Sequence, residues 1–253
     1  ALSVNQGSDD CTTVWNLPTG RARTEYLIEQ AINDGADIIS ISSSYADSRN
    51  SSMRWAISRA TVSGVPIVAS VGNDSEYNPD DELGMWGGVI GVAALEVDGS
   101  VADYSNYGEG VTLAAIGEIN GRSSIDGKHY KTSGTSYAAP MVAGFLALAW
   151  QRFAGGEVSV NQVLQAVLAT AWGTNGQWNE RTGYGEINPA ALLADDPSQY
   201  PEENPLLEKG SRFAFHEDDL YDYYYGLANP REVVNDGWYV YRGVDEESAL
   251  SEG

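Results

Sequence analysis

The chain has 253 residues, of which 42% are hydrophobic, and its formal net charge is −22. This length is sufficient for one large domain with its own core, or for a domain with an extension. The negative charge argues against nucleic acid or an anionic membrane as a partner, because both repel an acidic surface. The sequence has no uninterrupted apolar run of the roughly 18 residues that a membrane-spanning helix needs, and its single cysteine, Cys11, cannot form an internal disulfide.

The N-terminal part of the chain begins with a strand signal and then becomes irregular. Residues 1–4 are predicted as a short strand already inside a fold, so we expect the chain to start late in that fold; no signal peptide is predicted at its start. Residues 5–23 are predicted as a loop. A helix is predicted over Thr24–Asn33, with Thr24 as its N-cap. Residues 36–42 then form a mostly apolar run, as expected for a strand covered on both faces.

The alternation of helix and strand signals continues beyond this strand. A helix is predicted over residues 51–63, ended by Gly64. Strands are predicted over residues 65–71, 89–93 and 111–115. Strands and helices with short connections are typical of an α/β fold in which a mainly parallel sheet is flanked by helices.

The most informative stretch is Gly-Thr-Ser-Tyr-Ala-Ala-Pro-Met-Val-Ala-Gly, residues 134–144. Gly134 permits a tight turn, and the apolar residues that continue to Trp150 predict a helix buried on every side. Pro140 is expected in the first turn, where a missing N–H costs little. Ser136 is therefore predicted at the start of this helix, where its N–H is free and the helix dipole favours negative charge.

The C-terminal part of the chain changes in composition. A helix is predicted from Ser159 or Asn161 to about Thr170, and a last helical turn over residues 190–193. Residues 195–253 are acidic, rich in tyrosine and poor in aliphatic side chains. We predict a domain over residues 1–194 and an extension over 195–253 that packs on it, because so few aliphatic side chains make a poor independent core. A role of the extension in partner docking or substrate gating stays open.

The stretch around Ser136 closely resembles the nucleophile segment of the subtilisin-like serine peptidases, the subtilases. Three further segments occur in that family's order. Residues 36–42 are similar to the strand that lines the primary specificity pocket, residues 65–74 to the next strand with its oxyanion-hole Gly-Asn, and residues 89–108 to the strand and turn beyond. The resemblance covers roughly residues 1–193 and implies a three-layer α/β/α fold, which we expect to be incomplete at its N-terminal side.

The resemblance implies that Ser136 forms an acyl-enzyme and that Asn73 supplies an oxyanion-hole amide. This agrees with the chemistry, because acyl transfer needs donors where negative charge develops. Taken alone, Asn73 would be interpreted as a turn residue after a strand. Where the family commonly has an apolar residue and a glycine, this chain has two serines, which leaves the shape of the pocket open. The residues expected to border an extended substrate are Ser42, Ser43, Ser44, Ser70, Val71, Gly72 and Thr135.

The acid and the base of a catalytic triad have no matching segment in this chain. Serine is a poor nucleophile without an oriented base, and in subtilisin an aspartate and then a histidine precede the serine. His129 precedes Ser136 but lies in a predicted glycine-flanked loop, unlike the family's His-Gly-Thr segment. His216 follows the serine, in the acidic extension. No aspartate has the family's Asp-Thr/Ser-Gly context.

Three explanations are open. The chain is the later portion of a subtilase, which we favour; or it is half of a two-chain enzyme; or it is an inactive homologue that binds peptides. We therefore expect a serine endopeptidase whose Asp and His come from a segment absent from this chain, with little turnover by the chain alone. We also expect a sheet short of strands to expose apolar faces at residues 38–41 and 65–71.

No cofactor is predicted, although calcium is common in the family. One acidic cluster is open to two interpretations, a cation site or a solvated loop. It comprises Asp74, Glu76, Asp80, Asp81 and Glu82. The expected partners are a peptide or protein substrate and the missing N-terminal portion of the fold, or a partner chain that replaces it. The resemblance implies an extracellular or cell-envelope location.

Overall fold

The computed structural model describes residues 24–43, 51–79, 81–122, 126–153 and 158–206. The helices in these ranges are α1 (Thr24–Asn33), α2 (Ser51–Val62), α3 (Thr135–Phe153), α4 (Val160–Thr170) and α5 (Pro189–Ala194). The strands are β1 (Ile39–Ile41), β2 (Ile67–Ser70), β3 (Val89–Leu95), β4 (Val111–Ile116), β5 (Glu118–Arg122) and β6 (His129–Ser133). The strand and loop predicted over residues 1–23 lie outside the described residues.

A parallel sheet with the order β1-β2-β3-β4 forms the middle of the fold. Side chains alternate between its two faces, as the pleat of a strand requires. On one face Ile67 packs in a cluster with residues of α1 and α2. On the other face Val68 and Ile90 pack in a cluster with residues of α3 and α4. The predicted α/β fold, a parallel sheet flanked by helices, is confirmed.

The expectation of exposed apolar sheet faces at residues 38–41 and 65–71 is wrong. Ile39 is 4% exposed, Ile41 is 3% exposed and Val68 is fully buried. These side chains are covered because helices lie on both faces of the four strands. Within the described ranges it is the outer edge of β1 that stays open, since β1 pairs there with β2 alone.

The helix α3 differs from its prediction in two respects. It buries one side on the sheet, whereas Leu148 is 49% exposed and Gly144 is also exposed. A helix buried on every side is therefore the wrong description, because no described element covers this outer face. Pro140 is the sixth residue of α3 and lies beyond its first turn, so that placement is wrong too.

An antiparallel hairpin of β5 and β6 leads directly into α3. No sequence pattern predicted this hairpin, and the expectation that His129 lies in a loop is wrong: His129 is the first residue of β6 and pairs with Arg122. The hairpin lacks a buried face: most residues of β6 are exposed. It therefore has no alternation of apolar and polar residues from which a strand could be predicted.

The C-terminal elements agree with their predictions as far as the structure describes them. Ser159 is the N-cap of α4 and forms a capping box with Gln162. Beyond α5 the chain continues along the domain to Leu206, which is 2% exposed and whose carbonyl accepts a hydrogen bond from the N–H of Gly88 at 3.1 Å. Residues 207–253 lie outside the described residues, so the packing of the rest of the extension stays a prediction.

Candidate active site

The predicted site residues meet at the carboxyl edge of the parallel sheet. Ser42 follows the last residue of β1, Asn73 lies three residues beyond β2, and Ser136 is the second residue of α3. In open α/β sheets this edge is where ligands bind, because the loops that leave parallel strands converge there. The fold thus brings together segments that are 94 residues apart in the sequence.

The Asn73 side chain is held in a defined orientation by Thr135. Its Oδ1 accepts a hydrogen bond from the Thr135 N–H at 2.8 Å and a second from Thr135 Oγ1 at 3.0 Å. A flipped amide would place a donor against the Thr135 N–H, so the hydrogen bonds determine which end is oxygen. Asn73 is exposed as a residue, and no described residue accepts a hydrogen bond from its Nδ2.

Ser136 is half-buried and is hydrogen-bonded to the residue that follows β1. Its hydroxyl lies 3.4 Å from the carbonyl oxygen of Ser42, a long contact. In the other direction, Ser42 Oγ donates to the carbonyl of Ser136 at 2.9 Å. The predicted nucleophile therefore lies directly against the end of β1.

The loop that carries Asn73 is hydrogen-bonded to Asn106, which is fully buried. Asn106 Oδ1 accepts hydrogen bonds from the backbone N–H groups of Asp74 at 2.9 Å and Glu76 at 2.8 Å, and its own N–H donates to the carbonyl of Gly72 at 3.1 Å. Gly72 has a φ of +94°, and a Cβ on it would lie 2.3 Å from Asn106 Nδ2. Only glycine fits this close approach.

The remaining predicted substrate residues differ in what they expose. Ser70 is 3% exposed, and Val71 and Thr135 are fully buried. These values are for whole residues, so neither the side chains nor the backbone groups of these three residues are open to a substrate in this structure. Ser43 is half-buried at the edge of the site. Ser44 lies outside the described residues.

No described side chain acts as a base toward Ser136. Within the described ranges, no imidazole or carboxylate is hydrogen-bonded to its hydroxyl. His129 is exposed at the far end of β6, four residues and about 13 Å along the strand from Ser133. Lys131 lies in the same strand as His129. Its hydrogen bond to Glu118 raises its pKa, so its ammonium group stays protonated at neutral pH and does not accept a proton. His216 lies outside the described residues.

The acidic residues after Asn73 that the structure describes do not form a recognisable metal site. In the part of the chain that the structure describes, no three His, Cys, Asp or Glu side chains are grouped so that they could hold an ion. Asp80 is not among the described residues. Calcium binding therefore stays an untested possibility.

Two functional contacts were not foreseen from the sequence. Thr135 was expected to border the substrate, and its hydroxyl instead fixes the Asn73 amide. Asn106 was noted only as part of a turn, and it anchors the loop around Asn73. These contacts join residues 62 and 32 positions apart, and no local pattern in the sequence indicates such pairs.

The structure thus brings a serine at a helix start and an amide side chain of fixed orientation to the carboxyl edge of a parallel sheet. The comparisons with known proteins identify its family. A family model described as the subtilase family matches residues 14–185, which is more than half of the chain. The chain therefore belongs to the subtilase family.

Curated relatives share about a third of the matched residues. A thermostable alkaline protease of Halalkalibacterium halodurans is 34% identical over 145 residues, which cover 57% of this chain and 39% of that protein. Fervidolysin of Fervidobacterium pennivorans is 32% identical, with 58% and 24% covered. Subtilisin DY of Bacillus licheniformis is 29% identical, with 57% and 53% covered. The chain thus matches between 24% and 53% of the length of these three proteins.

Solved structures share the fold. MycP1 without its N-terminal propeptide aligns with a TM-score of 0.61 at 27% identity, covering 71% of this chain and 68% of that one. The prenylagaramide maturation protease PagA aligns with a TM-score of 0.58 at 28% identity, covering 68% and 65%. In the described ranges of this chain, no helix has the length and hydrophobicity to cross a bilayer.

Proposed function

We propose that this chain carries the nucleophile and the oxyanion hole of a serine endopeptidase. Ser136 Oγ attacks the carbonyl carbon of the scissile peptide bond, and the acyl group is transferred to the serine. The Asn73 amide and the Ser136 N–H stabilise the oxyanion that forms. The observation that carries this proposal is the pair of hydrogen bonds from Thr135 to Asn73 Oδ1, because they tie the amide to the residue next to Ser136 and leave Nδ2 as its unbonded end among the described residues.

The acid and the base come from a segment absent from this chain. The base accepts the Ser136 proton during attack and returns it to the leaving amine. Within the described ranges, the outer edge of β1 pairs with no strand, and β1 ends next to Ser42, which contacts Ser136. An additional strand at this edge would extend the same sheet.

The substrate is a peptide or a protein, bound as an extended strand along the edge of the site. Ser42, which contacts Ser136, and Ser43 follow β1 and are half-buried, whereas residues 70–72 at the end of β2 are buried as the loop leads to Asn73. Extended peptides bind such edges through main-chain hydrogen bonds. Calcium as a structural ion and an extracellular or cell-envelope location are further parts of this proposal. The names of the relatives support this location only in part. One relative is an extracellular protease of Xanthomonas campestris, whereas another is an intracellular serine protease of Paenibacillus polymyxa.

The alternative function is that of an inactive subtilase homologue that binds peptides. The absence of a base near Ser136 among the described residues favours it, whereas the preserved orientation of Asn73 does not, because peptide binding does not need an oxyanion donor. The two functions differ in the chemistry of Ser136.

Labelling with a fluorophosphonate probe distinguishes them. The chain is expressed together with the residues encoded upstream of it, exposed to the probe, and the labelled peptide is located by mass spectrometry. A serine peptidase labels at Ser136, and labelling is lost in Ser136→Ala. Peptide binding without any labelling at Ser136 would identify the inactive homologue.

A further inference from the structure

The first turns of α3 lack one hydrogen bond of a regular helix. In an α-helix the carbonyl of residue i accepts from the N–H of residue i+4. For Ser136 that residue is Pro140, which lies within α3 and has no N–H. The carbonyl of the nucleophile residue is therefore without its usual helical donor.

Ser42 takes the place of that donor. Its hydroxyl donates to the Ser136 carbonyl at 2.9 Å, a normal distance for a hydroxyl donor. Ser42 directly follows β1, so this bond connects the end of a strand with the turn that presents the nucleophile. The Asn73–Thr135 bonds connect the loop after β2 with the preceding residue of the same turn. Two neighbouring strands thus hold two consecutive residues of α3.

We propose that Ser42 is a positioning residue for the nucleophile, because its hydroxyl replaces the helix N–H that Pro140 lacks; this role rests on the function proposed above, in which Ser136 is the nucleophile. In a regular helix the N–H of residue 140 would donate to the Ser136 carbonyl. The orientation of the first turn would then not depend on a contact with the end of β1. With Pro140 present, the position of Ser136 depends on the sheet edge where the substrate lies. The Ser42 side chain is then engaged with the helix, and its part in substrate binding is limited to the backbone.

The consequence is that Ser42 and Pro140 act together. With proline at position 140, loss of the Ser42 hydroxyl leaves the Ser136 carbonyl without a donor. With alanine at position 140, the helix supplies its own N–H and the hydroxyl becomes dispensable. A purely local role of Ser42, in packing or in the fold of β1, would be independent of residue 140.

A cysteine at position 136 reports on this geometry without needing a catalytic base. In the chain with Cys11→Ser and Ser136→Cys, the thiol lies at a helix start, which lowers its pKa below the usual value of about 8.5. The pKa and the alkylation rate with iodoacetamide are measured in this chain, with Ser42→Ala, with Pro140→Ala, and with both substitutions. Ser42→Thr, which keeps a hydroxyl, is the conservative variant. Ser100→Ala, which removes a hydroxyl bonded to Asp98 at 2.6 Å in an exposed turn, is the control.

With Pro140 present, we expect Ser42→Ala to raise the thiol pKa and to slow alkylation at pH 7 by about 3- to 10-fold, in line with a displacement of the thiol from the helix start. Ser42→Thr restores both values, and Ser100→Ala changes neither. In the Pro140→Ala chain, Ser42→Ala has little effect. Equal effects of Ser42→Ala in both backgrounds, or no effect in either, would overturn the proposal.

Failure to fold does not leave the question open. If Ser42→Ala unfolds the chain that keeps Pro140 but not the Pro140→Ala chain, as followed by circular dichroism, the coupling is established through stability. If it unfolds both, Ser42 has a general structural role and the proposal is wrong. Absence of fluorophosphonate labelling at Ser136 would refute the peptidase function alone, because thiol alkylation proceeds without a triad.

Discussion

The hydroxyl of Thr135 offers a sharp test of how the oxyanion hole is built. Thr135→Val replaces the hydroxyl by a methyl group of similar size in a fully buried position, so no cavity forms. Asn73 Oδ1 loses the 3.0 Å bond and keeps the 2.8 Å bond from the Thr135 N–H. A net hydrogen bond contributes about 1 kcal/mol, and about 1.4 kcal/mol corresponds to a tenfold change in rate.

We therefore expect Thr135→Val to lower the free energy of unfolding of the chain by about 1 kcal/mol in urea titrations. In the assembled enzyme it should lower kcat by roughly 5-fold and leave KM nearly unchanged, because the amide is less well oriented toward the oxyanion while the substrate edge is intact. Thr135→Ser keeps the hydroxyl and should retain most of kcat. A Thr135→Val enzyme with unchanged kcat, or equal losses in both variants, would refute an orienting role of the hydroxyl.

Three further predictions concern the same loop and the start of the extension. Asn73→Ala should lower kcat of the assembled enzyme by about 10² to 10³, the loss seen for the corresponding donor in subtilisin, with little change in KM; an unchanged kcat would remove Asn73 from the mechanism. Gly72→Ala should destabilise the chain by about 1–3 kcal/mol in urea titrations, because its φ is +94° and its Cβ would lie 2.3 Å from Asn106 Nδ2; wild-type stability would contradict this packing. Burial and the hydrogen bond to Asp195 raise the pKa of Tyr200 to about 12 from 10.0, so the stability that this residue contributes is complete below pH 10 and is lost between about pH 10 and pH 12. Tyr200→Phe should remove that part of the alkaline decline in thermal melts, and an identical decline in both proteins would show that Tyr200 does not titrate this way.

The parallel sheet and its helices could be predicted because each has a strong local signal. The apolar run at 65–71 is a fully buried strand over Ile67–Ser70, and α1 has the predicted bounds, Thr24–Asn33. The run at 36–42 is longer than the strand that forms, Ile39–Ile41. An apolar run indicates burial, and it does not fix where pairing with a neighbour ends.

The features that escaped prediction depend on contacts between distant segments or lack a periodic pattern. The hairpin of β5 and β6 is polar and largely exposed, so hydrophobic alternation could not indicate it. The position of Pro140 beyond the first turn of α3 was unexpected because a proline interrupts helical hydrogen bonding. It is accommodated by Ser42, 94 residues from Ser136, and a sequence pattern does not contain that contact.

The central claim is that this chain supplies the nucleophile and the oxyanion hole, while the base comes from a segment that the chain lacks. The most direct measurement is the steady-state hydrolysis of a fluorogenic peptide library by the isolated 253-residue chain, with and without the co-expressed upstream residues. We predict no turnover above a weak background for the isolated chain, no change in it on His129→Ala, and turnover dependent on Ser136 once the upstream residues are present. Efficient hydrolysis by the isolated chain that is abolished by His129→Ala would contradict the claim.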